Sequence, residues 1–323
     1  MAFQIDPVAP LDEEVRRIAR EQLRKIEKSI ADREGDPHEA IHDARKRFKK
    51  LRGLIRIIRN ADPDFYRSEN DRFRDTAKEL SFVRDKAALV EALDALSKRF
   101  EEEVTTEAFA EVRGRLVEHR DEAAASEGDL GPKLELVGTA LERAHDRLDH
   151  LRIAKPRAGA SRILAGGIAR THARGRSALA ATEKRRDAEL FHDLRKRAKY
   201  ASMHFRLIRP LWPEIFAPMA ETAKGIGDDL GLDHDYAVFR AAVAADPGSF
   251  GSQQTLTIVL GLMDRRQSEL RQSARDSAQR LYAESPKGLQ KRVERLYHAA
   301  RTVASRAADA PAAGSGEASR RAA

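Results

Sequence analysis

The chain has 323 residues, of which 41% are hydrophobic, so it can bury sizeable cores without help from disulfides or structural metals. It contains no cysteine, which excludes disulfide bridges, thiolate metal sites and a cysteine nucleophile. Its 60 Lys and Arg exceed its 52 Asp and Glu by eight, and this net charge favours anionic partners over cationic substrates.

Charged residues make up 35% of the chain and aromatic residues only 6%, a balance typical of long, salt-bridged helices. We therefore predict an all-α protein. The first ten residues contain neither a cationic nor an apolar signal region, and no stretch approaches the roughly eighteen apolar residues of a membrane span. Together with the missing cysteines, these observations lead us to expect a cytoplasmic protein that does not bind membranes.

Apolar residues at helical spacing predict six helices in each half of the chain. Turn-forming pairs such as Asp62-Pro63, Arg209-Pro210 and Ser285-Pro286 separate several of them. Asp36 is expected to cap the second helix, with Pro37 at its first position. The predicted helices lie near 11–33, 37–60, 64–82, 84–100, 105–125 and 133–154, and near 161–184, 188–209, 212–231, 234–246, 253–283 and 287–306.

The two halves repeat each other with a period of 150 residues. The segment His42-Asp43-Ala44-Arg45-Lys46-Arg47 returns as His192-Asp193-Leu194-Arg195-Lys196-Arg197, and the register continues on both sides without gaps. We predict two pseudo-symmetric antiparallel helical bundles. The predicted divisions are an extension over 1–10, a first bundle over 11–154, a linker over 155–160, a second bundle over 161–306 and a disordered tail over 307–323.

The second helix of each half carries two stripes at heptad spacing. The first stripe is apolar and indicates the buried face of a bundle helix; it contains Ile41, Ala44, Phe48, Leu51, Ile55 and Ile58, and then Phe191, Leu194, Ala198, Ala201, Phe205 and Ile208. One position later runs a polar stripe, which we call the basic stripe. Its members are His42, Arg45, Lys49, Arg52, Arg56 and Arg59, and then His192, Arg195, Lys199, Ser202, Arg206 and Arg209.

These two helices hold all the excess positive charge. Residues 42–59 have a net charge of +7 and residues 192–209 of +5, so the remainder of the chain is negative. Such a stripe needs acidic neighbours or an anionic ligand, because like charges four residues apart repel. The ordinary alternative is a solvated face that pairs with acidic side chains of adjacent helices. We expect Lys46 and Lys196, and the preceding helices' Arg20, Arg24, Arg170, Arg174 and Arg176, to lie along the same groove.

The pattern His-x-x-Arg-x-x-x-Lys-x-x-Arg-x-x-x-Arg, read at His42, Arg45, Lys49, Arg52 and Arg56, resembles the CHAD family of conserved-histidine α-helical domains. The second copy, the run from Arg170 to Arg176 and the segment Leu230–Asp235 are also similar to that family. The resemblance extends from about residue 11 to 306. It implies paired helical bundles around a basic cavity that binds inorganic polyphosphate, and an association with polyphosphate granules. Ser202, where the first copy has Arg52, departs from the pattern and implies weaker binding by the second stripe or a different hydrogen bond.

The residues by themselves leave several interpretations open. A linear polyanion needs a long track of Arg and Lys donors, which the basic stripe supplies. His42 and His192 either donate to phosphate or pack between helices. Nucleic acid is the second candidate partner, although Phe48, Phe191 and Phe205 lie on the apolar stripe and not where bases could stack on them.

An enzyme of the HD phosphohydrolase class is the third candidate, because three His-Asp pairs occur at His42-Asp43, His192-Asp193 and His234-Asp235. The adjacent cations would repel a metal, and ion pairs of Asp43 with Arg47 and Asp193 with Arg197 explain two of these pairs more simply. The acidic group Asp228, Asp229, Asp233 and Asp235 is expected to cap helix ends and to face the basic helices. Trp212, Phe216 and Met219 are predicted to lie in the core. We predict non-catalytic binding without a metal or cofactor, and the sequence does not indicate an oligomeric state.

Overall fold

The computed structural model describes residues 3–32, 37–80, 82–104, 106–128, 130–153, 159–185 and 187–309. All regular secondary structure in these ranges is helical, which confirms the predicted fold class. No helix in the described part of the chain is long and apolar enough to cross a membrane. The predicted helix cap Asp36, most of the predicted linker 155–160 and residues 310–323 of the predicted tail lie outside the described ranges.

Eleven α-helices are described, and two short 3-10 turns, Arg209–Leu211 and Pro247–Ser249, flank the ninth. The α-helices are α1 Leu11–Ala31, α2 Pro37–Ile55, α3 Pro63–Glu79, α4 Phe82–Arg99, α5 Thr106–Glu127, α6 Gly131–Asp149, α7 Ala160–Lys184, α8 Ala188–Leu207, α9 Pro213–Ala245, α10 Gln253–Leu281 and α11 Pro286–Asp309.

Local chemistry sets several of these boundaries. The Asp62 carboxylate accepts a hydrogen bond of 3.0 Å from the backbone N–H of Phe65, and Pro63 occupies the first position of α3. α2 stops at Ile55, short of the predicted end near 60, and the chain continues in tight turns, in which the backbone N–H groups of Ile57 and Ile58 bond to the carbonyls of Leu54 and Ile55. Ser252 caps α10 in the same way, through a bond of 3.2 Å from the backbone N–H of Thr255.

The predicted break between helices 212–231 and 234–246 is wrong. The chain forms one helix there, α9, of 33 residues. Gly231 lies within this helix and does not end it, and a Cβ at this position would lie 3.3 Å from the Nη2 atom of Arg195 of α8. The expectation that the nearby acidic residues cap helix ends is therefore also wrong. Trp212 is wrongly predicted as core, because it is 46% exposed, whereas Phe216 is fully buried.

A first hydrophobic cluster joins the two halves of the chain. It contains buried side chains of α1, α2, α3 and α6, and of α7, α8, α11 and the first half of α9. Every member of the predicted apolar stripes is buried within it, which confirms both stripes. The neighbouring helices α1 and α6 run antiparallel, because Arg16 contacts Leu151 whereas Glu27 contacts His145.

Helices α2 and α8 cross at positions that differ by 150. The His204 Nε2 atom lies 2.9 Å from the Gly53 carbonyl oxygen, and a Cβ on Gly53 would lie 2.8 Å from the Met203 sulfur. Gly53 thus allows a close helix crossing that a side chain would prevent. This contact between equivalent positions is expected of bundles related by a twofold axis, although the symmetry itself stays a prediction.

A second hydrophobic cluster consists of α4 and α5 from the first half, and of the end of α9 and most of α10 from the second half. Leu93 and Leu96 of α4 share it with Phe239 of α9 and Met263 of α10. Neither cluster is confined to one predicted bundle. Helices α9 and α10 each contribute side chains to both clusters and therefore connect them.

Candidate anion-binding site

A groove of about 950 Å³ lies where α2 and α8 meet α4 and α9. Its wall is formed by Phe3, Gln4, His42, Arg45, Lys46, Lys49, Lys50, Ala88, Leu89, Glu91, Arg195, Lys199, Ser202, Met203, Arg206, Arg209, Ala217, Ala220, Glu221, Lys224, Asp228, His234, Asp235 and Val238. We call this surface the basic groove.

The basic groove has a strong positive charge. Of the described side chains, nine Lys and Arg line it against four carboxylates, a net charge of +5 in a space that could hold a small ligand or a segment of a longer one. Within the wall, Arg206 pairs with Glu221 and Lys224 pairs with Asp228, each at 2.9 Å. These pairs are exposed, so they contribute little stability and leave their cations accessible to a competing anion.

Two glycines of α9 make room for the central cations. A Cβ on Gly227 would lie 3.0 Å from the Cγ atom of Lys199, and one on Gly231 would lie 3.3 Å from the Nη2 atom of Arg195. Glycine at these two positions, one helical turn apart, therefore lets both long side chains lie flat across α9. The Arg195 Nε atom is buried and has no hydrogen-bond partner.

Burial and mutual repulsion make the charged state of the groove's lysines less favourable. The pKa of Lys199 is lowered by burial and by the adjacent Arg195. The pKa of Lys50 is lowered by burial and then by the surrounding positive charges of Arg47, Lys46, Lys25 and Arg206. An anion placed between these side chains would favour the charged state of both lysines.

The structure brings eight of the predicted site residues together in the basic groove. They are His42, Arg45, Lys46 and Lys49 on α2, and Arg195, Lys199 and Arg206 on α8 together with Arg209 just beyond its end. The two copies of the basic stripe thus meet at one surface, although only in part.

The middle of each stripe turns toward the following helix. Arg52 donates from Nε to the Asn70 side-chain oxygen at 3.2 Å, and the Ser202 hydroxyl donates to the Ala220 carbonyl at 2.9 Å. These two contacts join equivalent positions of the two halves. The shorter Ser202 side chain therefore bonds to the backbone of α9, whereas Arg52 at the equivalent position bonds to a side chain of α3.

The end of the first stripe forms a second cationic group outside the groove wall. The Arg56 guanidinium lies 4.2 Å from the ring centroid of Tyr200, and that of Arg59 lies 5.1 Å from the ring centroid of Tyr66. Burial lowers the pKa of Arg174 of α7, and the nearby positive charges of Arg197, Arg56 and Arg59 lower it further.

The remaining predicted cations lie elsewhere. Arg20 pairs with Asp149 of α6, and Arg176 donates to the backbone carbonyls of Ala283 and Glu284 at the turn after α10. Lys196 pairs with Asp193 at 3.4 Å. Arg24 and Arg170 are exposed and do not line the groove.

The two stripe histidines differ in their surroundings. His42 is exposed on the groove wall. His192 is half-buried outside the wall, with its ring 4.2 Å from that of His234, which does line the groove. Burial and then the neighbouring His234 lower the pKa of His192 to about 4, so this side chain is neutral at pH 7.

The expected ion pairs of the His-Asp segments are confirmed. Asp43 contacts Arg47 at 2.6 Å and Asp193 contacts Arg197 at 2.8 Å. Asp228 and Asp235 face the basic helices, as expected, whereas Asp233 is buried and contacts Arg271 of α10 at 2.7 Å. Among the described residues, no group of three or more His, Asp or Glu side chains is arranged to hold a metal ion.

Several groove residues were not found from the sequence. Lys50 is next to the basic stripe but not on it, and Lys224 comes from another helix. The spacing of Gly227 and Gly231 was the one local signal that could have indicated a close approach to α9. The contribution of α4 and of residues 3 and 4 depends on contacts between segments distant in the sequence.

Comparisons with known proteins agree with this fold. A family model described as the CHAD domain matches residues 17–244. The crystal structure of the CHAD domain from the plant Ricinus communis is similar with a TM-score of 0.61 and 15% sequence identity, over 88% of this chain and 95% of that one. No curated protein matches the chain. At this level of identity, the structural likeness shows the fold alone.

Proposed function

Because the chain belongs to the CHAD domain family, we propose that it binds inorganic polyphosphate in the basic groove without altering it chemically. The observation that carries this proposal is the convergence of Arg45, Lys49, Arg195 and Lys199, from equivalent positions of two helices, on one groove of net charge +5. Polyphosphate has a negative charge on every phosphate, so it can contact such a set without a particular base or sugar geometry.

The chemistry of the groove supports a flexible polyanion over nucleic acid. Among the groove-lining residues that the structure describes, Phe3 is the one Phe, Tyr or Trp side chain, and single-strand binders usually offer several aromatic platforms. Tyr66 and Tyr200 lie under Arg56 and Arg59 and are not part of the groove wall. Arg and Lys side chains alone are sufficient for phosphate oxygens.

The decisive test compares two variants with the same change in charge. The first replaces Arg45, Lys49 and Lys199 by Ala, and the control replaces Arg113, Arg115 and Arg120 of α5 by Ala, three arginines that are not among the groove-lining residues. We expect the groove variant to lose affinity for polyphosphate on the order of 100-fold at low salt. The slope of its log affinity against log salt concentration should become less negative by about two. The control should bind almost as wild type.

A competition titration separates the two candidate ligands. Single- and double-stranded DNA of the same total charge should displace polyphosphate poorly. Equal competition by DNA would contradict the proposal, as would an equal loss of affinity in both triple variants. Release of phosphate from polyphosphate with Mg²⁺ or Mn²⁺ present would contradict the non-catalytic part.

The same binding would bring the protein to polyphosphate granules, and we propose this as its location in the cell. A fluorescent fusion should colocalise with stained polyphosphate, and the groove variant should be diffuse. A granular signal that survives the loss of the groove cations would show that another surface directs the protein there.

A further inference from the structure

The segment of residues 3–9 lies against the end of α8, where the basic groove ends. Ile5 is buried, and its backbone N–H donates to the Leu207 carbonyl at 2.9 Å. That carbonyl belongs to the last turn of α8, so residue 5 satisfies an acceptor that the helix itself leaves open. Phe3 and Gln4 then form part of the groove wall.

Further contacts hold this segment in place. Arg17 of α1 donates to the Gln4 backbone carbonyl at 2.8 Å, and the Asp6 backbone N–H donates to the buried Glu14 carboxylate at 2.6 Å. Glu14 in turn pairs with Arg17 at 2.7 Å. The segment is therefore a fixed wall of the groove, held by backbone hydrogen bonds and a half-buried ion pair.

The side chain of Gln4 contacts one of the groove's cations. With its amide oriented so that the oxygen faces the donors, this oxygen accepts from both Nε and Nη2 of Arg209, each at 2.8 Å. These are the two donors that a guanidinium uses to hold a phosphate or carboxylate in a bidentate manner. Gln4 thus occupies the position that a ligand oxygen would take, while adding no charge.

We propose that Gln4 is an internal competitor that withholds Arg209 from anions bound in the basic groove. The inference rests on the proposed function for its ligand, but the contact itself does not. The equivalent cation of the first stripe, Arg59, instead lies over the ring of Tyr66. The ends of the two stripe copies therefore differ: Arg59 lies outside the groove wall, whereas Arg209 lines the groove with its guanidinium held by Gln4.

Graded variants at position 4 test this in the full chain. Gln4→Ala should raise affinity for polyphosphate about twofold to fivefold, because Arg209 can then form one exposed ion pair with a phosphate. The slope of log affinity against log salt concentration should become more negative by about 0.7. Gln4→Glu should lower affinity, because a carboxylate holds Arg209 more strongly and repels the ligand. When Arg209→Ala is already present, adding Gln4→Ala should give no gain in affinity, since Gln4 acts only through Arg209.

A ligand-free measurement separates this inference from the proposed function. Phenylglyoxal modification of Arg209, followed by peptide mass spectrometry, should be faster in Gln4→Ala than in wild type. Unchanged reactivity, an unchanged or reduced affinity of Gln4→Ala, or a gain that persists without Arg209 would overturn the inference. If the wild type binds no polyphosphate while Arg209 still becomes more reactive, the proposed function fails and the competition by Gln4 stands.

Discussion

At the scale of single residues, burial and neighbouring positive charges oppose the charged state of the groove's lysines. Lys199 lies across Gly227 and beside Arg195, and both its burial and this neighbour lower its pKa. A phosphate chain in the groove would favour the protonated lysine. Binding and protonation of Lys199 are therefore linked.

This linkage predicts how affinity depends on pH. Around the lowered pKa of Lys199, polyphosphate binding should take up protons, and affinity should fall as the pH rises through that pKa. Lys199→Arg should reduce the proton uptake, because arginine stays charged throughout this range. Titration calorimetry in two buffers of different ionisation enthalpy measures the uptake directly. An uptake unchanged by Lys199→Arg would mean that this lysine does not meet the ligand.

A buried histidine at the crossing of α2 and α8 predicts a different pH effect, on folding. His204 lies against the Gly53 carbonyl, and burial lowers its pKa from 6.5 to about 4. The unfolded chain therefore binds more protons between these values. This difference in pKa makes the free energy of unfolding depend on pH. The contribution of His204, on the order of 3 kcal/mol, is fully present above about pH 6.5 and is lost as the pH falls toward 4.

His204→Gln tests this effect, because glutamine keeps a donor for Gly53 but does not titrate. We expect a loss of about 1 kcal/mol at pH 7.5 and a flatter dependence of the free energy of unfolding between pH 6.5 and 4. Urea denaturation at several pH values measures both. His192, whose pKa is also about 4, and His172, whose pKa is lowered by burial, should contribute to the slope that remains.

At the scale of helices, α9 connects the charge of the groove with the packing of the core. One helix of 33 residues contributes Phe216 to the first cluster, Tyr236 and Phe239 to the second, and two glycines to the groove between them. Helix propensity alone would favour alanine at each glycine. Contact with the groove's long side chains explains why glycine stands at two of these positions.

Neighbouring glycines of α9 provide a matched pair of variants. Gly225→Ala meets nothing within 4 Å, so it should stabilise the fold by about 0.5–1 kcal/mol and leave polyphosphate binding unchanged. Gly227→Ala should displace Lys199 and weaken binding about fivefold or more. Thermal denaturation and a binding titration on both variants give the comparison. Equal binding by the two would show that the position of Lys199 is unimportant.

At the scale of the whole molecule, the hydrophobic clusters combine the two sequence repeats. Helices α4 and α5 share the second cluster with α9 and α10, while α2 and α8 cross in the first. Separating the halves would expose Leu93 and Leu96 on one side and Phe239 and Met263 on the other. The association of the halves therefore contributes to the stability of both.

Cleavage of the chain between its halves tests this association. A protease site introduced between residues 153 and 159 should be cut without separating the products, which we expect to elute together in size-exclusion chromatography and to unfold in one transition. Two separately eluting, folded fragments would instead support the predicted division into independent bundles. Uncleaved protein carrying the same site is the control.

Much of the architecture was predictable from the sequence. Both apolar stripes are buried throughout, the Asp43–Arg47 and Asp193–Arg197 pairs form, and the family follows from the motif around His42. The spacing of residues along one helix fixes which side chains share a face, so these features need no knowledge of the other helices. The sequence therefore determined the fold class and the cationic character of α2 and α8.

Only the tertiary structure decided which cations share a surface. Arg45 and Lys49 meet Arg195 and Lys199, whereas Arg56 and Arg59 of the same stripe lie on tyrosines, because α2 crosses α8 at Gly53 and the stripe continues past the crossing. The positions of α4 and of Gln4 depend in the same way on contacts between distant segments. Periodicity is a property of one helix, but a binding site depends on the angles and distances between several helices.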